Sequence, residues 1–197
     1  MEKVEQELLR NKKIRDKVDE LRMGLGFDVH DKKIYLLTGY FNIVIEHHAA
    51  IDLLIKEGLF VSAFALVRPL AETVYRAAWV NACATPQQLE QLVTDDDFGF
   101  PNDMTERADA AYATDGFFKK IKKSSWKSMC SYAHSGLLQV QRQHGAEDVS
   151  IGSNYSEAEI LEVLKGTTAF LVILTIIFFR STNHWNQASE IKILAFD

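Results

Sequence analysis

The sequence has little of what interrupts helices. Three prolines and ten glycines in 197 residues leave long stretches free to be helical. There are only two cysteines, Cys83 and Cys130, both in apolar surroundings and without metal-ligand spacing. They imply neither a disulfide framework nor a cysteine-bound zinc, and a reducing cytoplasm fits them best. Positive charge is not in excess: 22 Lys and Arg face 27 Asp and Glu, for a net charge of −5. That balance argues against a protein that coats nucleic acid generally. No apolar run reaches the ~20 residues needed to span a bilayer. The longest, Gly166 to Phe179, has 14 residues and reads as a buried core helix, so membrane association is not expected. The opening stretch MEKVEQELLRNKK is charged throughout and does not read as a signal peptide. No glycine-rich phosphate loop, G-x-S-x-G elbow, paired zinc motif or internal repeat occurs.

What is present is helical pattern. With 47% hydrophobic residues the chain can bury a sizeable core. The expected fold is all-α, an antiparallel helical bundle centred on a long helical hairpin. One domain is expected over 1–197, with an N-terminal helix and loop (1–30), a bundle (31–184) and a C-terminal tail (185–197). Residues 2–22 form a charged helix with a thin apolar stripe, and Gly24 and Gly26 mark a loop. Asp31 can cap a helix to about Glu57, with Ile34, Leu37, Phe41, Val44, His48, Ile51 and Ile55 spaced alternately three and four, a heptad seam. Gly58 breaks it, and a second long helix follows over 59–84, so the two must form an antiparallel hairpin. Residues equally far from Gly58 then share a level, as His48 and Arg68 do.

Pro69 lies inside the second helix and is expected to kink it at its polar cluster. Thr85-Pro86 restarts a helix to Thr94, and shorter helices are expected over 102–112 and 115–132. Residues 144–155 read as loop. Ser156 with Glu159 forms a capping box for the last long helix, to about His184. That helix is apolar nearly all round, as suits the centre of a bundle or a dimer interface. The tail after it, Ile191 to Phe196, is apolar enough to pack on the domain or on a partner chain.

The central helix carries the densest polar set. Ala63, Leu66, Val67, Leu70, Val74 and Ala77 form its core stripe, and Arg68, Glu72, Tyr75, Arg76 and Trp79 the opposite face. Glu72 has an arginine four residues before it and another four after, so both reach its carboxylate. The trio with Tyr75 suits phosphate or carboxylate binding, or else a buried ion-pair network that fixes helix register. His48 could meet Arg68 or Glu72 as an acid–base group, or be a hydrogen-bonded core residue. No metal site is expected: a bundle di-iron centre needs Glu-x-x-His on two helices, and only His48 and Asp52 are suitably spaced. Ser131 to Gly136 places His134 at a helix end among small residues, either open to a ligand or capping the helix. Lys119, Lys120, Lys122, Lys123 and Lys127 with Trp126 could track a phosphate backbone, or be a solvated face with Asp95–Asp97 as internal partners.

The stretch Ser62 to Glu72, with its apolar–Arg–Pro–apolar–x–Glu pattern, and Tyr132-x-His134-Ser135-Gly136 resemble a group of bacterial helical proteins. These are the HEPN-like proteins of unknown function, related to abortive-infection proteins, and the resemblance spans about residues 35–180. It implies a dimerising helical bundle and, in active members, RNA cleavage by an Arg, four to six residues, then His. His134 matches the histidine, and the basic residue ahead of it is Lys127, with six residues between. That leaves Arg68 or Arg76 of the central helix to supply the guanidinium in space. The resemblance thus implies a homodimeric protein acting on RNA or a nucleotide-like ligand; the cysteines suggest a cytoplasmic one, and no cofactor is expected. His134, Arg68 and Arg76 would be catalytic, and Glu72, Tyr75, His48 and Lys127 would line the site.

Overall fold

The computed structural model describes residues 2–95, 98–144 and 152–196, which form nine α-helices and no strand. They are α1 (Glu2–Arg22), α2 (Lys32–Lys56), α3 (Phe60–Cys83), α4 (Pro86–Thr94), α5 (Met104–Tyr112), α6 (Phe117–Ala133), α7 (Leu137–Gln141), α8 (Glu157–Ser181) and α9 (Trp185–Phe196). Asp96 and Asp97 of the expected acidic loop, and 145–151 of the expected 144–155 loop, lie outside the described residues.

The caps sit where the sequence places them. The Asp31 carboxylate accepts from the backbone N–H groups of Lys33 and Ile34, at 2.8 and 3.1 Å. Thr85 with Gln88, and Ser156 with Glu159, both form capping boxes. On α2 the seam positions Leu37, Phe41, Val44, His48, Ile51 and Ile55 are buried. The α2–α3 turn satisfies the last carbonyls of α2: Gly58 N–H donates to Ile55 O and Leu59 N–H to Leu54 O. Gly58 adopts φ 72°, a backbone angle only glycine takes without strain. The hairpin is antiparallel and its levels match across the turn. Tyr40 and Arg76, each 18 residues from Gly58, are close enough for the arginine to act on the phenol.

Helix α3 is the centre, packed against α2, α5, α6 and α8. It runs through Pro69 as one continuous helix. Both of its faces are covered, which alters the expected polar face. Tyr75 and Trp79 are 1% and 0% exposed. The Tyr75 ring packs on Phe118 and Phe170, and Trp79 on Phe98 and Phe100. Their polar atoms sit on rings too large to leave outside, so burial of the ring decides their place. Only Arg68, Glu72 and Arg76 emerge.

Helix α8 extends over 25 residues, longer than the apolar run that marked it, and meets the length and composition of a membrane span. Yet 56% of that apolar window is buried against other helices, as suits a core helix. Phe178 stacks on Phe41 of α2 at 4.4 Å. The expected tail is a helix: Ala188, Ile191 and Ala195 of α9 are buried at three- and four-residue spacing. Arg10 of α1 donates to the Ala195 carbonyl at 2.8 Å.

Candidate functional site

The site is built where α6 crosses α3. Asp109 of α5 fixes the start of α6: its buried carboxylate accepts from Phe118 N–H and Lys119 N–H, both at 2.9 Å. From there α6 buries Phe118 and Met129 and carries Trp126, half-buried, across α3. Its far end is a tight turn. His134 N–H donates to Cys130 O, Gly136 N–H to Ser131 O, and the Ser131 hydroxyl accepts from Leu138 N–H to start α7. A Cβ at Gly136 would lie 2.6 Å from Ser131 Oγ and 3.0 Å from its Cα, so glycine alone fits. Ser135 takes φ 52°, which turns the chain back. The short α7, with no periodicity to announce it, follows from this turn.

The turn sets His134 against α3. Arg68 Nη1 donates to His134 Nε2. Because guanidinium can only donate, Nε2 is the acceptor in this contact. The Arg68 guanidinium also stands 5.1 Å from the centroid of the Trp126 ring, with Lys122 Nζ 5.5 Å from the same ring. Glu72 Oε1 accepts from Arg76 Nη2 at 2.9 Å, while its Oε2 lies 3.9 Å from Arg68 Nε, beyond hydrogen-bond reach. Arg76 covers the Phe100 ring at 4.7 Å. The Nε–H groups of Arg68 and Arg76 are both buried without a hydrogen-bond partner among the described residues. His134 itself is exposed.

Three of the seven expected residues stand differently. Tyr75 lies beneath the strip rather than on it; burial raises its phenol well above the ordinary 10, and Asp109 adds to the shift. Lys127 is exposed on α6 and makes no hydrogen bond or ion pair among the described residues. His48 faces α1 and α8, not α3. Its Nδ1 accepts from Arg15 Nη1 at 3.0 Å and its Nε2 donates to Thr168 Oγ1 at 2.9 Å. The Arg15 Nη1 group also donates to Asp52 Oδ2 at 2.5 Å, Asn11 Nδ2 to Asp52 Oδ1 at 3.0 Å, and Thr168 Oγ1 to Asn11 Oδ1 at 2.6 Å. Burial pushes the imidazole down to about 4; Asp52 opposes that and Arg15 adds to it. It is the hydrogen-bonded core histidine, not a partner of Arg68. The heptad position that buries it also turns it from α3.

Trp126 joins the site through its contact with Arg68, and Lys122 through its contact with Trp126. A sequence signal points to them: from Gly116 to His144 there is no acidic residue, against six Lys and Arg. In a chain of net charge −5, that segment is a local excess of positive charge. Among the described residues no group of three or more His, Cys, Asp and Glu gathers as metal ligands would.

No curated protein and no solved structure matches the chain significantly. A family model does match, over residues 41–195, and that range holds every residue of the α3–α6 strip. The match carries no link to HEPN-like or abortive-infection proteins. With most of its length matched, the chain belongs to DUF6988, a family of unknown function.

Proposed function

We propose that the α3–α6 strip binds a phosphate-bearing ligand, RNA first among them, in a HEPN-like, defence-associated protein. One observation carries the reading: the Arg68 guanidinium and the His134 imidazole, 66 residues apart, are in hydrogen-bond contact at the surface. Arginine matches phosphate oxygens in pairs, and a neutral imidazole can take a proton. A phosphate drawing Arg68 to itself frees His134 Nε2 to accept the proton of a ribose 2′-hydroxyl, with Arg68 and Arg76 holding the phosphate charge. Trp126 offers a ring for a base to stack on, and Lys122 and Lys127 offer charge along the strand.

The test is RNA binding and cleavage with chelator present, comparing wild type with His134→Ala and Arg68→Ala. Cleavage is expected in wild type and lost in His134→Ala, and binding is expected to fall about tenfold in Arg68→Ala. Absence of both binding and cleavage on diverse RNAs overturns the reading. The position of Glu72 between two arginines favours one alternative, a non-catalytic interaction module whose polar strip is architectural. In that case Glu72→Ala lowers the melting temperature strongly and no RNA binds.

A further inference from the structure

Most charges on α1 are satisfied within the chain. Glu7 pairs with Arg10 at 3.0 Å, Lys12 with Asp16 at 2.5 Å and Arg22 with Asp19 at 2.7 Å. Lys17 pairs with Glu20 at 2.8 Å and with Glu190 of α9 at 3.0 Å. Arg15 is engaged by Asp52 and His48. Glu5 and Lys13 are different: both are exposed, and neither makes a hydrogen bond or ion pair among the described residues. They lie four residues before and four after Leu9, so all three share one face of the helix. Leu9 is 70% exposed, and its apolar neighbours Leu53 of α2 and Ile193 of α9 are 58% and 59% exposed. Leu9 stands as a ridge between two grooves. The α1–α2 groove, of about 540 Å³, is walled by Leu8, Leu53 and Ile55; the α1–α9 groove, of about 600 Å³, by Ile193 and Leu194.

We propose that this face pairs with a second copy of the chain, α1 lying antiparallel on α1 and crossing at Leu9. A two-fold interface must be complementary to itself, with residues at equal distance on either side of the axis facing each other. Glu5 of one copy then meets Lys13 of the other, and Lys13 meets Glu5. Glu5 and Lys13, each without an ion pair among the described residues, then satisfy each other twice. Each Leu9 ridge enters a groove beside the opposite α1, the ridge-and-groove geometry of packed helices. Glu2 and Asp16 also face across such a pair, but Asp16 is already neutralised by Lys12. An unrelated partner would need no such opposite signs at equal spacing about one leucine.

Sedimentation velocity on the full chain, over a concentration series up to roughly 100 μM, tests this. Wild type is expected to dimerise. Leu9→Glu is expected to be monomeric with unchanged circular dichroism and melting temperature, since Leu9 makes little contact within its own chain. Glu5→Lys and Lys13→Glu are each expected to raise the dimer Kd about tenfold, because each reversal sets two like-charge contacts per dimer. Combining both reversals should restore the wild-type Kd. A monomer throughout the series, a dimer indifferent to Leu9→Glu, or a double variant no tighter than the single ones would each overturn the proposal.

Discussion

Among the described residues arginine meets histidine twice, and the two meetings differ in kind. At the α1–α2–α8 junction, Arg15, His48, Asp52, Asn11 and Thr168 form a closed set in which each of the named donors has an acceptor. His48 is 0% exposed there, and both of its ring nitrogens are engaged within the set. At the α3–α6 crossing, Arg68 and His134 meet beside solvent, two buried guanidinium Nε–H groups lack a partner among the described residues, and Glu72 binds one arginine well and the other poorly. A satisfied buried network fixes a fold; a partly satisfied exposed one has hydrogen bonds left to make. The same residue pair is therefore a closed core network in one place and, in the function proposed above, a binding surface in the other.

The comparison is open to direct attack, beginning where the effect should be largest. Asp52→Ala strands Arg15 and Asn11 in the buried set and is expected to cost about 3–5 kcal/mol in urea unfolding. A loss below about 1 kcal/mol would remove the distinction between the two clusters. A smaller effect is expected from acid. His48 is pushed from 6.5 to about 4 in the folded chain, so its protonated form favours the unfolded one. Its contribution is fully present above about pH 6.5 and falls as the pH drops toward 4. The melting temperature should therefore decline more steeply over that range in wild type than in His48→Gln, which cannot titrate. Equal slopes would mean that the imidazole is not held neutral by its surroundings. The smallest effect belongs to Arg68→Ala, expected to change stability by no more than about 1 kcal/mol in the same urea measurement. A loss as large as that of Asp52→Ala would make the α3–α6 strip architecture too.

The fold was legible wherever it rests on local pattern. Alternate three- and four-residue spacing gave the α2 seam, and Asp31, Thr85 and Ser156 announced helix starts that the structure keeps. The polar face of α3 was half misread, because Tyr75 and Trp79 look polar in a helical wheel while their rings demand burial. The last helix was read only as an apolar tail, since two of its buried positions, Ala188 and Ala195, are alanines that mark no apolar stripe. For the site, Arg68, Glu72, Arg76 and His134 each stood out on their own. The companions of His48 did not: Arg15 lies 33 residues away and Thr168 lies 120 away, and no spacing rule spans such gaps.

By itself the sequence determined an all-helical chain with a Gly58 hairpin at its centre, because caps, breaks and apolar periodicity act over a few residues. Which histidine became core and which surface was decided only in three dimensions. The α2 seam turned His48 toward α1 and α8, while Asp109 at one end of α6 and the Gly136 turn at the other swung His134 onto Arg68. Both histidines have arginines available; burial and crossing geometry, set by contacts far apart in the chain, assigned each its partner.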